Sequence, residues 1–255
     1  MNFKKAIIFD IYGEFGHFRK FNTTTSPLTF SLPTPSAVFG MLGAILGIER
    51  EDSQNTVNED ENHLRKVFSA ENAYIAIRPI SRIKKVNMAF NLLITSSSPN
   101  TFYNIKPSGR SQIEFELLKN PRFRIYLCWN HLLRNNLIER LEDKNFYFNP
   151  YLGLAQMTAN IDYIGEKKLN KIIKEDYVDF CSAINLSEID SDNPIDIDYM
   201  KSRVFQLETF PLEMNVDRTI SRYGEVLTEM NGFNVKAVPN DKSFSIIDEG
   251  NVQFL

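Results

Sequence analysis

The chain has 255 residues, enough for one large core or two modest ones, and its 43% hydrophobic and 24% charged residues are the balance of a globular protein. No stretch reaches the roughly 20 apolar residues that a membrane-spanning helix needs, and two cysteines, Cys128 and Cys181, are too few and too far apart for a disulfide framework or a cysteine metal cluster, which fits a reducing cytoplasm. The formal net charge of -3 speaks against a nucleic-acid partner only until it is divided: residues 1–150 carry 19 Lys and Arg against 14 Asp and Glu, residues 151–255 carry 10 against 18, and residues 62–134 carry 12 against 3.

The start, MNFKKAIIFDIYG, is basic, but Asp10 breaks its apolar run and no small-residue cleavage site follows. Residues 4–12 therefore read as a buried strand and not as a signal peptide. A loop rich in glycine, aromatic and basic residues comes next. Thr34-Pro35 then starts a helix, with threonine as cap and proline at the first helical position, where its missing N–H costs nothing. Val38, Leu42, Ile45 and Leu46 form its buried stripe, and Gly47 ends it.

Residues 49–62 are an acidic, exposed connector, followed by a short helix near 63–68. Residues 73–80 are strand-like and end at proline. Residues 81–95 form an extended basic arm, 96–109 its loop, and 110–118 the return strand, so a basic hairpin arm projects over about 78–118. Residues 122–129 make a further strand. A helix from His131 to about Glu142 carries Leu132, Leu133, Leu137 and Leu141 at a spacing near 3.6. Residues 146–153 are an aromatic turn. Short strands are expected at 161–164 and 176–181, an acidic connector at 185–200, a strand at 203–210, and short strands with turns over 220–255. The order predicts an α+β fold with helices on one face of a sheet, compatible with a ferredoxin-like or RRM-like domain over 1–150. Residues 151–255 read as a C-terminal part with a small, mostly β subdomain.

The chemistry concentrates in two places. In the first loop, Gly13 and Gly16 allow a close backbone approach or a positive φ. His17, Phe18, Arg19, Lys20 and Phe21 interleave rings with cations, as single-stranded nucleic acid requires: rings stack on bases and cations meet phosphates. Thr23, Thr24, Thr25 and Ser26 add hydroxyls. Neither the dinucleotide fingerprint nor a phosphate loop is present. The second place is the arm, where Arg78, Arg82, Lys84 and Lys85 precede Met88 and Phe90, and Lys106 and Arg110 stand on the return side. Arg122 and Arg124 alternate along one strand face and extend the track. An excess of 12 cations over 3 acids in this region suits a phosphate backbone. An unevenly charged solvated face, with Phe18 and Phe21 tucked into the core, is the plain alternative.

Three histidines and no Cys-x-x-Cys give no zinc site, and no metal or cofactor is expected. His131 reads as structural. Asp10 and Glu14 flank the first turn, where a cation could sit. Tyr12, His17 and Lys20 together would suffice for metal-free RNA cleavage as base, acid and phosphate clamp.

The stretch G13-EFGHFRKFNTTTS followed by LPTPSAVFGMLGAILGI resembles the N-terminal signature of the fifth family of CRISPR-associated proteins. FNPYLGLAQMTANI and PLEMNVDRTISRYGEVL are similar to later segments, so the resemblance spans most of the chain. It looks nearest to type I-B members. The resemblance implies a ferredoxin-like, RRM-like domain of the repeat-associated RNA-binding superfamily with a protruding thumb hairpin. It implies a cytoplasmic, non-catalytic Cascade subunit that binds the crRNA 5′ handle in antiviral defence. It also implies contact with the Cascade backbone subunit and the large PAM-sensing subunit. The RNA would meet Gly13, Gly16, His17, Phe18, Arg19, Lys20 and Thr24 in the loop, and Arg78, Arg82, Lys84, Lys85 and Arg110 on the arm. The helix start near Thr34 would turn its free N–H groups toward an anion. Two alternatives stay open: a metal-independent endoribonuclease that processes precursor crRNA through Tyr12, His17 and Lys20, as related type I-C subunits cut their repeat, and a scaffold subunit that touches only protein.

Overall fold

The computed structural model describes residues 4–20, 26–48, 63–93, 110–172, 177–198, 202–215 and 219–255. Strand β1 (Lys5–Tyr12) is buried along nearly its whole length, which requires a covering layer on both faces. Ile7, Phe9 and Ile11 point one way, and Ala6, Ile8 and Asp10 the other. A two-residue strand β2 (Phe15–Gly16) follows. Helix α1 (Pro35–Leu46) starts and stops as its sequence demands: the Thr34 hydroxyl accepts the Ala37 amide at 3.3 Å, and Gly47 closes it in the left-handed conformation.

Helix α2 (Leu64–Val67), β3 (Ala73–Pro79), β4 (Lys85–Leu93), β5 (Arg110–Lys119) and β6 (Arg122–Trp129) come next. Helix α3 (Arg134–Glu142) begins three residues later than its leucine spacing predicts. The His131 ring stacks on Trp129 at 5.2 Å and its Nδ1 accepts the Leu133 amide, so this segment precedes the helix as a turn instead of joining it. Leu132 is left on the surface.

Strand β7 (Asn160–Lys171) runs far beyond the short strand expected at 161–164. Its register on β1 shifts between Ile8 and Phe9, opposite Gly165, and its charged outer half hides the β period. Strands β8 (Val178–Phe180) and β9 (Ile184–Asn185), a single 3-10 turn (Leu186–Glu188) and β10 (Ile195–Asp196) lead to the ten-residue strands β11 (Phe205–Met214) and β12 (Ile220–Glu229). Pro211 does not end β11; register shifts around Glu213 absorb it. Strands β13 (Val235–Ala237), β14 (Ser243–Ile246) and β15 (Gly250–Gln253) complete the order.

One nine-stranded sheet runs β10-β13-β8-β15-β14-β7-β1-β6-β3, with β1 antiparallel to both neighbours. It continues without a break from residues 1–150 into 151–255. Of the described strands in 151–255, expected from sequence to form a small, mostly β subdomain, six extend the main sheet, while β9, β11 and β12 form a second, three-stranded sheet. The third sheet, β2-β5-β4, is the hairpin arm joined by the first loop.

The helical side of the main sheet packs Ile7, Phe9, Ile11, Ile125 and Trp129 against Val38, Leu42 and Ile45 of α1 and Leu137 and Leu141 of α3. On the other side the sheet coils over itself. The Ala183 and Leu255 amides bond the Ile77 and Ile75 carbonyls of edge strand β3 at 2.8 and 2.9 Å. Ala6, Ile8, Tyr126, Cys128, Phe244 and Phe254 fill the enclosed layer, and both cysteines are buried free thiols. The result is a mixed α+β fold dominated by strands. No helix among the described residues is long and apolar enough to cross a membrane.

Candidate nucleic-acid interface

The first loop and the hairpin arm form one body. Strand β2 pairs with Leu118 and Lys119 of β5. Beyond it, Lys20 N–H donates to the Leu28 carbonyl and Phe30 N–H to the Phe18 carbonyl, so the loop closes on itself. Glu116 of β5 stitches it to the arm: its amide donates to the Pro27 carbonyl at 3.0 Å, its carboxylate accepts the Thr29 amide, and Lys85 Nζ donates to the Thr29 carbonyl at 2.9 Å.

This stitching changes the expected role of several side chains. His17 is 2% exposed. Its Nδ1–H donates to the Glu116 carbonyl at 2.8 Å, and its ring sits edge-on to Phe115 at 5.4 Å. Nε2 is buried with no partner in the described residues, which fits the neutral tautomer. Burial lowers the His17 pKa, against the opposing pull of the Glu116 carbonyl. Phe18 is 4% exposed and belongs to the main core, so its ring has no free face for a base. Gly13 and Gly16 do not have positive φ. A Cβ at Gly13 would stand 2.8 Å from the Thr158 carbonyl and 2.9 Å from Leu152, and one at Gly16 would meet Leu152 at 3.3 Å. Their smallness seats the segment after the aromatic turn, not a ligand. Likewise Thr34 is buried and its hydroxyl already takes a helix amide, so the start of α1 is closed by its own cap.

The cations divide into two groups. Lys20 reaches the buried Glu208 carboxylate of β11 at 2.5 Å, which also accepts the Ser31 amide at 2.9 Å. Lys85 lies 3.1 Å from Glu116 and 3.9 Å from Glu208. Arg78 donates to the Glu249 carbonyl at 3.2 Å. These three hold the fold together. Arg124 does the same, donating to Asp10 at 2.7 Å and to Glu249 at 2.9 Å; the Asp10 bond holds its guanidinium even more firmly charged than usual. Asp10, 1% exposed, is thus filled by arginines and is no cation site. Arg122 shares Asp10 but is half exposed, its guanidinium over the Tyr12 ring at 4.9 Å. The second group is on the surface: Arg19, Arg82, Lys84 and Arg110 are exposed. Arg82, Lys84 and Arg110 have no side-chain acceptor among the described residues. Phe21, Thr23, Thr24, Thr25 and Lys106 lie outside those residues.

Residues 6–190 match the family described as CRISPR-associated protein (Cas_Cas5). The chain belongs to the Cas5 family. A search of curated proteins gave no match. Among solved structures, a chain of a CRISPR RNA-guided surveillance complex shares its fold, with a TM-score of 0.52 at 11% identity over 91% of each chain. A CRISPR protein from Archaeoglobus fulgidus aligns over 98% of each chain at 12% identity and a TM-score of 0.49.

The groups considered for RNA cleavage in this Cas5-family chain are not gathered. Tyr12 lies under Arg122, His17 is enclosed beside Phe115, and Lys20 is paired with Glu208. Among the described residues no group of His, Cys, Asp and Glu is arranged to hold a metal ion. Sequence reasoning missed Glu208 and Lys119. Glu208 is remote in sequence from the loop it anchors, and nothing local marks it. Lys119 becomes visible only once the hairpin register is known.

Proposed function

We propose that this Cas5-family chain is a non-catalytic Cascade subunit that holds the single-stranded 5′ handle of crRNA. The observation that carries the reading is that exposed cations, Arg19 on the first loop and Arg82, Lys84 and Arg110 on the arm, stand on two elements joined as one body through Glu116. Cations fixed on a rigid support lose little freedom when they meet phosphates, so most of their attraction is kept. Lys20, Lys85 and Arg78 support that surface from within and do not touch the RNA.

The fold supports the finer reading as well. Strand order β3-β6-β1-β7, with helices after β1 and β6, supports a ferredoxin-like reading, in which the β4–β5 hairpin would be the thumb. The separate settings of Tyr12, His17 and Lys20 favour binding without cleavage. Partners are the Cascade backbone subunit and the large PAM-sensing subunit, as the family resemblance implies.

The test is gel-shift binding of a single-stranded RNA carrying the repeat-derived 5′ segment of the guide, in EDTA. The native chain binds and leaves the RNA intact, and Arg19→Ala weakens binding about tenfold at moderate salt. Equal affinity of the two proteins, or site-specific cleavage lost in His17→Gln, overturns the reading.

A further inference from the structure

The register of the arm places two lysines face to face. Lys85 pairs with Leu118, and the Lys119 amide donates to the Lys84 carbonyl at 2.9 Å, so Lys84 and Lys119 lie directly opposite each other at the hairpin's base. Like charges in that position destabilise an antiparallel pair. Both are exposed, and neither has an acidic partner among the described residues. Glu14, in the adjoining turn, is one residue out of phase with Phe15, the strand neighbour of Lys119, and makes no ion pair with either lysine. Two further cations stand close by. Arg82 is two residues before Lys84, and Arg122 lines the same shallow crevice as Ser81, Lys84 and Lys119.

Side chains alternate along strands, so the face that carries these lysines also carries Val86 and Leu117, then Met88 and Phe115, then Phe90 and Ile113. Phe90 and Phe115 meet edge to face at 5.2 Å, and Met88 is exposed. A doubled positive charge is thus followed first by Val86 and the buried Leu117, and then by a ring and thioether surface.

We propose that Lys84 and Lys119, flanked by Arg82 and Arg122, form a phosphate subsite for single-stranded RNA, with the adjoining base lying on Met88, Phe90 and Phe115. A phosphodiester between the lysines removes the repulsion that the empty pair carries. This inference rests on the RNA-binding reading above and adds the path: the strand crosses the base of the arm on the face that bears Phe115.

Fluorescence anisotropy of a labelled single-stranded RNA of the repeat sequence, measured over a salt series, tests it on the purified chain. The variants are Lys84→Gln/Lys119→Gln, Lys84→Arg/Lys119→Arg and Arg19→Ala. The glutamine pair loses about tenfold in affinity, and the slope of log affinity against log salt falls by roughly 0.7, one phosphate's worth on a single strand. The arginine pair keeps the native values. The melting temperature of the glutamine pair is equal to or above native, because the repulsion is gone. Native affinity and slope in the glutamine pair, with Arg19→Ala still weakened, overturn the subsite and leave the RNA-binding reading intact. A lowered melting temperature in the glutamine pair assigns the lysines to the fold and also overturns it. No binding by the native chain removes both readings.

Discussion

Gly153→Ala is expected to damage the junction between the aromatic turn and the first loop. Gly153 has φ +88°, and a Cβ built on it would stand 1.9 Å from the His17 carbonyl oxygen and 2.7 Å from its carbon. The conformation itself costs an L-residue about 1–2 kcal/mol. The overlap is with backbone and has no flexible neighbour to absorb it, so the two segments must part. That breaks the His17 N–H bond to the Leu152 carbonyl (2.9 Å), about 1 kcal/mol. It also exposes part of Leu152, which is 0% exposed and packs on Gly13 and Gly16, for about another 1–2 kcal/mol. The sum is about 4 kcal/mol, roughly 8–16 °C in melting temperature for a chain of this size. Thermal unfolding followed by circular dichroism measures it. Gly40→Ala is the matched control: it is a helix-interior glycine with nothing within 4 Å of its Cβ position, so alanine gains up to about 1 kcal/mol. A Gly153→Ala melting temperature within 2 °C of native would refute the packing argument.

Glu208→Ala leaves Lys20 without its carboxylate and the Ser31 amide without an acceptor, and is expected to lower stability by about 2 kcal/mol, read from chemical denaturation; an unchanged midpoint denies the staple. His17 is held below its ordinary pKa of 6.5, so the folded state binds fewer protons than the unfolded one. Stability is therefore complete above pH 6.5 and falls as pH drops through the lowered folded-state value. Melting curves between pH 7.5 and 5 should diverge for native protein and His17→Gln below pH 6.5, and parallel curves would disprove it. Arg78→Ala should leave the salt slope of RNA binding unchanged, since the guanidinium is turned to Glu249; a drop near 0.7 would return Arg78 to the RNA track.

Much of the local architecture was legible in the sequence. The Thr34-Pro35 start and Gly47 stop of α1, the strand at 122–129 and the basic hairpin all follow from spacing and caps, which act over a few residues. What stayed hidden depends on partners far along the chain. Lys20 and Phe18 both flank the exposed Arg19 and read as equally available in sequence, yet Glu208 claims one and the core the other. Arg122 and Arg124 do share a face, but the buried Asp10 they both serve is set by strand pairing. The length of β7 was masked by its charged outer half, where a bulge and the late strand β14 supply the order that periodicity lacked.

The strand order has a consequence for how this protein is made. Strand β14 joins β7, and β15 lies between β14 and β8, so residues 243–253 fill the middle of the main sheet although they leave the ribosome after everything they touch. Until then Ala6, Ile8 and Tyr126 have no cover, and Arg78 and Arg124 await Glu249. Such distant pairing is slow to close. The nascent chain must therefore wait with its central strands open until residues 243–253 have joined the sheet.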